Sequence, residues 1–486
     1  MKEAKKLINA HNWKHMARWH GDGYYELRTE DIPDVPVRLF LTPTLLGDAE
    51  EILYRQIVNA SRFPGVRLVA ITPDVHYGYG VPVGCVLLTD AESGAVAMGP
   101  VGYDISCGMV SARSDVPVEA ANPDLRLRFN REVMERVDMG AGGKSIKLGR
   151  VDEGEFNNLV RGGAEYYVEN YGASFDRSRA ERHRMPVDDD WEIPWGGRGK
   201  PERGREQLGS LGGGNHFIEL QKCEETGTLF VQAHTGSRGF GHGLATNYFD
   251  MARAEKPEVI TDLDLGYFTP DSAHYRDYLN AVSAGGNYAI LNRLLIFEQV
   301  AEAFRKVFRS ELELIYEISH NLVQKEYHPE FGWVWVHRKG ATRAFPAGHP
   351  ALKETIWAET GHPVLIPGSN KDWSYILRPL PDAAKSGYSV NHGAGRRLSR
   401  GEAVRRLNQK DINREYREAG ILVNKDGNVP LDEAAPCYKS SEEVISAVVG
   451  AGLAKIEHRL WPLASLKSND ARKAKRGKDR KSSKHY

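Results

Sequence analysis

The stretch HFIELQKCEETGTLFVQAH, residues 216–234, predicts a β-hairpin near the middle of the chain. Its two arms, HFIEL and TLFVQAH, have the apolar and β-branched composition of strands. The segment ETGT between them contains the kind of glycine that is typical of a hairpin turn. We predict further strands in the runs VRLVAIT (66–72), GCVLLTD (84–90), WVWVH (333–337) and PVLIPG (363–368).

Longer helical patterns lie among these strands. The segment 122–137 opens with Asn and Pro, a good helix start. The segment 271–309 carries long apolar-periodic stretches that AGGN interrupts, and 441–459 has the pattern of an amphipathic helix. Because helices and strands are mixed without strict alternation, we predict an α+β fold with mixed sheets rather than a doubly wound one.

No internal repeat or linker divides the chain, so we interpret residues 1–467 as one large catalytic domain. The segment 176–205 is dense in Arg, Asp, Gly and Pro, which predicts an exposed charged loop. Residues 468–486 form a basic tail that we expect to be disordered, with eight Lys or Arg after residue 470 against one acidic residue, Asp479. Such a tail can bind RNA or can serve only as a solubilising segment, and both interpretations stay open.

The composition is that of an ordinary soluble protein, with 486 residues, 41% apolar and 27% charged. The 65 basic and 65 acidic residues cancel, so bulk charge identifies no partner. The four cysteines are widely spaced, which excludes a disulfide framework and favours a reducing compartment. The sequence shows no signal-peptide pattern and no apolar run that could span a bilayer, so we expect a cytoplasmic protein with no membrane association.

The stretch GPVGYDISCGMV, residues 99–110, places Asp104 three residues before Cys107 in a turn framed by glycines. A carboxylate and a thiol at this spacing can face one point and hold a metal ion. They can also be a turn residue and a small buried side chain. The spacing alone leaves both interpretations open.

Three histidines extend this candidate metal site. His216 lies where a Gly-rich loop enters a strand, His234 ends a strand, and His320 follows the end of a strand or helix. Each alone is also consistent with a surface or hydrogen-bonded histidine. Together with the carboxylate and thiol they offer a donor set suited to Mn, Fe, Co or Zn. Because five ligands exceed the four of a structural zinc, we favour two ions that share ligands.

Two Gly-rich stretches offer backbone N–H groups to phosphate: LGGGN (211–215) and HGAGRR (392–397). Neither matches a P-loop or GxGxxG, and glycines in turns often have only a structural role. His392 stands inside the second stretch, where an imidazole can accept a phosphoryl or nucleotidyl group on nitrogen. Such a histidine needs an orienting partner, and Asp74, which we place in a turn of PDVHYGYG, is the candidate.

Eight motifs follow one another between about Asp74 and Lys467: PDVHYGYGVPVG, GPVGYDISCG, LGSLGGGNHFIEL, HTGSRGFGH, SHNLVQKE, VHRKGATRAFPAGHP, PVLIPGS and HGAGR. In this order they resemble the motifs of the RtcB family of RNA ligases. This resemblance implies a single α+β domain with a binuclear metal pocket. It also implies a reaction dependent on GTP and Mn²⁺. That reaction joins an RNA 3′-phosphate or 2′,3′-cyclic phosphate to a 5′-hydroxyl through a histidine–GMP intermediate and an RNA–GMP activated end.

The resemblance also implies roles for individual residues. Asp104, Cys107 and His216 would hold one Mn²⁺, and Cys107 would bridge to a second ion held with His234 and His320. His392 would be the guanylylated nucleophile, oriented by Asp74. The implied GTP site consists of Asn215, His216, Phe217, Ile218, Glu219, His320, Asn321, Pro367, Gly368, Ser369, Asn370, Ser374, His392, Gly393, Ala394, Gly395 and Lys467. The implied RNA-phosphate contacts are Arg238, Lys339 and Arg400.

Departures from the family pattern leave the RNA substrate open. Lys371, Asp372 and Trp373 replace smaller residues in the implied nucleotide loop, and we expect them to crowd it. We expect a monomer, while the need for an accessory activating protein stays open. Two other functions stay open as well: a binuclear metallophosphoesterase acting on RNA ends, and a non-catalytic RNA-binding scaffold.

Overall fold

The computed structural model describes residues 7–173, 175–180 and 184–468, so the predicted tail lies, from residue 469 onward, outside the described residues. The helices are α1 Trp13–Met16, α2 Pro43–Asp48, α3 Ile52–Ala60, α4 Pro123–Arg136, α5 Glu153–Tyr171, α6 Arg238–Glu255, α7 Tyr275–Phe308, α8 Arg400–Arg406, α9 Gln409–Glu418 and α10 Ser441–Gly450. The strands are β1 Ala17–Trp19, β2 Tyr25–Leu27, β3 Val37–Leu39, β4 Val66–His76, β5 Val83–Asp90, β6 Val96–Ala97, β7 Gly108–Pro117, β8 Phe217–Cys223, β9 Thr228–Thr235, β10 Tyr267–Phe268, β11 Glu313–Ser319, β12 Asn321–His328, β13 Gly332–Lys339, β14 Ala341–Arg343, β15 Val364–Ile366, β16 Ser374–Pro379, β17 Ser389–Asn391, β18 Leu422–Val423 and β19 Ala454–Lys467.

Two large sheets organise the molecule. One has the strand order β1-β2-β3-β4-β5-β13-β12, and the other has the order β11-β7-β9-β8-β19-β16-β15 with β18 beside β19. Most neighbours are antiparallel, whereas β3 with β4 and β18 with β19 are parallel. Two short pairs, β6 with β10 and β14 with β17, lie outside these sheets. The predicted α+β class with mixed sheets is confirmed.

The β-hairpin predicted over residues 216–234 is present. β8 and β9 pair antiparallel from Phe217 opposite His234 to Lys222 opposite Leu229. Gly227 adopts a φ of +66° in the connecting turn, a conformation that glycine reaches without steric cost. Each of the other runs predicted as strands also contains one: β4, β5, β13 and β15.

The prediction that AGGN interrupts the long helical segment is wrong, because α7 runs unbroken from Tyr275 to Phe308. A Cβ added at Gly285 would lie 3.1 Å from Ile105 Cγ2, and one at Gly286 would lie 2.4 Å from Met185 Sδ. These glycines therefore permit close packing against α7. Glycine lowers the stability of a helix, and the apolar contacts made at these two positions offset that cost.

The predicted helix over 441–459 is correct only in its first half. α10 ends at Gly450, and Gly452 follows in the left-handed region with a φ of +70°. The chain then enters β19, which pairs with β8 on one side and with β16 on the other. Pairing along both edges overrides the local helical pattern of these residues.

Apolar clusters cover both sheets. α7 packs against β7, β9 and β11 of the sheet that contains β8, and α5 and α6 pack against α7, in a cluster that includes Phe156, Phe240 and Leu291. A second cluster joins the two sheets to each other, for example through Val86 of β5 and Leu377 of β16. In the described residues, no helix is long and apolar enough to cross a membrane.

The segment 176–205 is mostly irregular, with only short 3₁₀ turns in its described residues. It is less exposed than its composition indicates, because Met185 and Trp191 are buried. The Met185 backbone N–H donates to Asn287 Oδ1 at 2.6 Å, and Trp191 Nε1 donates to the Tyr248 hydroxyl at 3.2 Å. The segment is thereby tied to α7 and α6.

Candidate active site

A tight turn brings the Asp104 and Cys107 side chains to one point. The Cys107 N–H donates to the Asp104 carbonyl at 3.1 Å, and Ser106 between them has a φ of +60°. Gly236 faces this turn from the opposite strand end, where an added Cβ would lie only 2.3 Å from Asp104 Oδ1. Glycine at that position lets the chain approach the carboxylate closely.

The three candidate histidines converge on the same turn. Cys107 Sγ lies 3.4 Å from His216 Nε2 and 3.2 Å from His234 Nε2. His234 Nε2 is 3.2 Å from His320 Nε2, and His216 Nε2 is 3.2 Å from Asp104 Oδ2. All five side chains predicted from the sequence as metal ligands are therefore brought together. We call this set the interior cluster.

Backbone carbonyls orient two of these imidazoles. His216 Nδ1 lies 3.0 Å from the Leu211 carbonyl, and His234 Nδ1 lies 3.3 Å from the Asn215 carbonyl. A proton on each Nδ1 would satisfy these contacts and leave the Nε2 lone pair directed into the cluster. Oδ1 of Asp104 accepts hydrogen bonds from Ser237, from N–H at 2.9 Å and from the hydroxyl at 3.1 Å, so Oδ2 is left for the cluster.

A fully buried arginine on α7 supports the segments that carry the cluster. Arg293 Nη1 donates to the carbonyls of Ser106 at 2.6 Å and Thr235 at 3.1 Å, and Nη2 donates to Ser319 Oγ at 2.9 Å. These three residues immediately precede or follow a cluster ligand in sequence. The arginine also forms a buried ion pair with Glu317.

Burial shapes the protonation of the interior cluster. It raises the pKa of the Cys107 thiol well above its ordinary value, and the Asp104 carboxylate adds to that shift. Burial and the neighbouring imidazoles lower the pKa values of His234 and His320 well below the ordinary value. Neutral imidazoles are the form that ligates metals, and a divalent cation would favour the thiolate of Cys107. Thiolate, imidazole and carboxylate form a donor set that fits Mn²⁺ or Zn²⁺.

His392 and Asp74 form a hydrogen-bonded pair beside the interior cluster. Asp74 Oδ2 lies 2.6 Å from His392 Nδ1 and also accepts the His392 backbone N–H at 3.1 Å. Thr72 Oγ1 donates to the other oxygen at 2.6 Å. Burial alone would raise the pKa of Asp74, but His392 and the Thr72 hydrogen bond hold that pKa below its ordinary value. The centroids of the His392 and His320 rings are 4.9 Å apart.

Asp74 lies in β4, so its placement in a turn was wrong. The pairing of β4 with β5 shifts register between Ile71 and His76, which lets this part of the strand carry inward-facing polar residues. His76, two residues after Asp74, stacks near His392 with ring centroids 6.3 Å apart. Burial lowers the pKa of His76 to about 4. The sequence analysis missed His76, although a spacing of two residues on a strand points to a shared face.

One cavity of about 400 Å³ connects these features. Most residues of the implied GTP site line it: Asn215, Phe217, Glu219, His320, Asn321, Pro367, Gly368, Ser369, Asn370, His392, Gly393, Ala394, Gly395 and Lys467. Three do not: His216 belongs to the interior cluster, Ile218 is buried in the apolar core, and Ser374 lies behind the loop. The Ser374 hydroxyl accepts the Gly368 N–H at 3.0 Å and so supports the cavity wall.

The expected crowding of the nucleotide loop by 371–373 is not found. None of these residues lines the cavity. Lys371 Nζ pairs with Glu415 at 2.8 Å, Asp372 Oδ2 accepts the Ser441 N–H at 2.9 Å, and Trp373 packs edge-on against Trp461. These side chains instead fasten the outer side of the loop.

The family model described as tRNA-splicing ligase RtcB matches residues 56–468. The chain belongs to the RtcB family. The tRNA-splicing ligase RtcB of Pyrobaculum aerophilum is 35% identical over 465 residues, which are 89% of this chain and 95% of that protein. The RNA-splicing ligase RtcB of Mycobacterium tuberculosis is 36% identical over 438 residues, 85% of this chain and 100% of that protein. The predictions of the family and of a single RtcB domain are confirmed.

The far end of the RtcB cavity is charged and buried. Lys467 Nζ lies 5.2 Å from the centroid of the Phe217 ring and 3.7 Å from Glu433 Oε2. Burial raises the pKa of Glu219 to about 7, although Ser465 and Gln221 donate hydrogen bonds to its carboxylate. The sequence analysis missed Glu433, because no motif marks its segment.

The three arginine and lysine residues implied for RNA phosphates occupy different places. Arg400 lines the cavity and its side chain is 54% exposed. Lys339 also lines it, but its Nζ donates to the carbonyls of Tyr79 at 2.6 Å and Val81 at 3.0 Å. Burial lowers the pKa of Lys339 to about 8. Arg238 is buried behind the wall, where Nη2 donates to the Gly140 carbonyl at 2.8 Å, so its contact with RNA stays a prediction.

Proposed function

We propose that this RtcB protein is a GTP- and Mn²⁺-dependent RNA ligase that joins a 3′-phosphate or 2′,3′-cyclic phosphate end to a 5′-hydroxyl end. One observation carries the proposal. His392, paired with a buried Asp74, shares a cavity with four of the five converging metal-type donors, all except His216. RNA ligation is also the activity that the names of the similar proteins state.

The interior cluster fits two cations that share a ligand. Asp104, Cys107 and His216 would hold one Mn²⁺, and Cys107, His234 and His320 would hold the other. The bound ions would polarise a phosphoryl oxygen and offset charge that develops during displacement at phosphorus. The chain itself contributes the fixed directions of the imidazoles and a buried, water-poor setting in which those charges act strongly.

The cavity fits the nucleoside part of GTP. Asn370 is buried, and its Nδ2 has no hydrogen-bond partner among the described residues, although it lines the cavity. An unpaired buried donor is costly unless a ligand accepts from it. Lys467 and Glu219 offer a donor and an acceptor at the same end, which suits the edge of a guanine. We therefore assign the base to that end and the phosphates to the His392 end.

The geometry of His392 suits a nucleophile. The Asp74 carboxylate accepts a hydrogen bond from the protonated Nδ1, so the lone pair is on Nε2. Nε2 attacks the α-phosphorus while pyrophosphate leaves. The RNA 3′-phosphate then attacks the same phosphorus and releases Nε2, which forms an RNA–GMP anhydride. Finally the 5′-hydroxyl attacks the RNA phosphorus, loses its proton and expels GMP. A cyclic end would first be hydrolysed to the 3′-phosphate.

Lys339 and Arg400 are the cations we assign to RNA phosphates, because both reach the cavity. Release of the two carbonyls now bound by Lys339 would have to accompany such a contact. The proposal includes residues 1–467 as one ligase domain, a monomeric state and a cytoplasmic location. A need for an accessory activating protein is left to experiment.

The test is to incubate the protein with Mn²⁺ and α-labelled GTP. We expect a covalent, acid-labile label on the chain that His392→Ala abolishes. The matched control is His328→Gln, which replaces a buried histidine that does not line the cavity and should keep the label. A label that persists in His392→Ala would overturn the assignment of the nucleophile.

The same samples separate the two other functions. Release of phosphate from RNA ends without any label would support a binuclear metallophosphoesterase, which needs the interior cluster but neither His392 nor Lys467. RNA binding with neither label nor turnover would support a scaffold. Sealing of RNA ends that depends on both Mn²⁺ and GTP is the outcome expected of the ligase.

A further inference from the structure

A second group of metal-type side chains lies at the other end of β8. Cys223 is the last residue of that strand, Glu225 follows in the hairpin turn, and His458 stands on the neighbouring strand β19. The pairing of Cys223 with Leu460 places His458 beside the hairpin. We call these three residues the hairpin cluster. The length of β8 separates it from the interior cluster by roughly 20 Å.

The three donor atoms form a nearly regular triangle. Cys223 Sγ lies 3.6 Å from His458 Nδ1 and 3.5 Å from Glu225 Oε2, and His458 Nδ1 lies 3.9 Å from Glu225 Oε2. Tetrahedral zinc with ordinary Zn–S, Zn–N and Zn–O bonds places such donors about 3.3–3.6 Å apart. The two edges at the sulfur match these values, whereas the His458–Glu225 edge, at 3.9 Å, has to shorten when an ion binds.

Hydrogen bonds also fit two edges of the triangle, because the thiol can donate to Glu225 Oε2 while His458 Nδ1–H donates to the sulfur. The metal proposal therefore rests on the donor types and on how firmly they are held. Glu225 is held in place independently, because its Oε2 accepts the Arg459 N–H at 2.8 Å and its Oε1 accepts from Arg459 Nε at 3.2 Å. The Phe230 ring lies 5.5 Å from the His458 ring and fixes its position further.

Exposure fits a cation site with an open position. Cys223 is buried, whereas the side chains of Glu225 and His458 are 31% and 23% exposed. An ion can therefore enter from the solvent, and water can complete a tetrahedral set of ligands. Thiolate and carboxylate together would neutralise a divalent ion, which favours binding in this partly buried place.

We propose that Cys223, Glu225 and His458 form a second metal site that binds Zn²⁺ or a similar thiolate-preferring divalent ion. The ligand types favour zinc over the harder Mg²⁺ and Ca²⁺. The ion would fasten the β8–β9 turn to β19, whose far end carries Lys467 into the cavity. Its role would be structural, and the site does not depend on the proposed ligase activity.

Cobalt absorption tests the site without any activity assay. The protein is stripped of metal with a chelator and titrated with Co²⁺ in a Cys107→Ser background, so that the interior cluster contributes no thiolate. We expect a sulfur-to-cobalt charge-transfer band that saturates at one ion per chain. Cys107→Ser/Cys223→Ser should lose the band, whereas Cys107→Ser/Cys437→Ser, which removes another buried cysteine, should keep it.

The other two ligands give an independent check on folded protein. In the Cys107→Ser background, His458→Gln and Glu225→Gln should each weaken Co²⁺ binding by at least tenfold while the unfolding transition of the metal-free protein stays cooperative. Added Zn²⁺ should displace Co²⁺ and abolish the band. The proposal is overturned if the Cys107→Ser protein shows no band, or if the band survives the loss of Cys223.

Discussion

The two ends of β8 carry similar side chains in contrasting settings. The interior cluster has five donors, all close to the start of the strand, and two of its imidazoles and its carboxylate are held by further hydrogen bonds. The hairpin cluster has three donors at the end of the strand, two of them partly exposed, and Arg459 holds one of them. The two clusters therefore share ligand types but differ in how firmly the surrounding residues hold those ligands.

The arginine that supports each cluster differs more between the two ends than the ligands do. Behind the interior cluster, Arg293 binds two backbone carbonyls and one side-chain hydroxyl, each next to a ligand position, and pairs with a buried carboxylate. At the hairpin, Arg459 lies on the surface with its side chain 52% exposed. Preorganised ligands lose little conformational freedom when an ion or substrate binds, and chemistry gains most from such fixed geometry. We infer that the interior end is built for reaction and the hairpin end for stability.

The largest effect should separate the two cysteines in RNA ligation. Cys107→Ser removes the donor shared by both proposed ions, and we expect ligation to fall about 10⁴-fold, because metal ions contribute several kcal/mol to such displacements. Cys223→Ser should leave the rate within about twofold. Single-turnover sealing of RNA with a 3′-phosphate and a 5′-hydroxyl measures both. Equal losses in the two variants would erase the distinction between the two ends.

The supporting arginines should differ strongly in stability. Arg293→Met removes one partner of a fully buried ion pair with Glu317, so the free energy of unfolding should fall by about 3–5 kcal/mol. Arg459→Met breaks a surface pair and should cost less than about 1 kcal/mol. Urea unfolding of the metal-free proteins measures both. Adding Glu317→Gln to Arg293→Met should restore part of the loss, and no restoration would contradict the charge argument.

Much of this contrast could be predicted from the sequence at the level of ligands. Asp104, Cys107 and the three histidines stand at strand ends or in Gly-rich turns, and polar side chains at such positions tend to converge. The hairpin itself follows from composition and the turn glycine. Local signals of this kind need no knowledge of distant contacts.

What lies behind the ligands could not be predicted. Arg293 sits inside an apolar helical pattern, and nothing local shows that its guanidinium contacts three separate segments of the chain. The same holds for β19, whose strand pairing overrides a helical pattern, and for α7, where packing accommodates Gly285 and Gly286. Arg238 has the sequence context of a phosphate ligand, yet the fold buries it against the Gly140 carbonyl. Each of these outcomes depends on contacts between residues far apart in the chain.

Glu219 lies on β8 between the two ends and should make stability depend on pH. Its folded pKa is about 7 because of burial, against an ordinary value of 4.5. The folded state therefore holds the proton more tightly, so this contribution is present below pH 4.5 and is lost as the pH rises through 7. We expect Glu219→Gln to match the wild type at pH 4 and to exceed it by up to about 3 kcal/mol at pH 8. A stability difference that does not change with pH would contradict this assignment.

The smallest effect should come from Thr72, which contacts Asp74 but not the nucleophile. It tests whether residues behind the site also help to position His392. Thr72 donates to the Asp74 oxygen that does not contact His392. Thr72→Val keeps the shape of the side chain but removes the hydrogen bond to that oxygen. We expect the barrier to guanylylation to rise by about 1–1.5 kcal/mol, because Asp74 is oriented less well, which corresponds to roughly a tenfold slower labelling of His392 by GTP.

Thr89→Val, which removes a buried hydroxyl bonded to the Ala95 carbonyl, is the matched control and should label at the wild-type rate. If both variants label alike, Thr72 has only a packing role. If only Thr72→Val labels slowly, and its pH profile shifts with the Asp74 pKa, then groups that do not touch the reacting atoms also help to position the interior end. The hairpin end has one supporting arginine and no comparable second layer among the described residues.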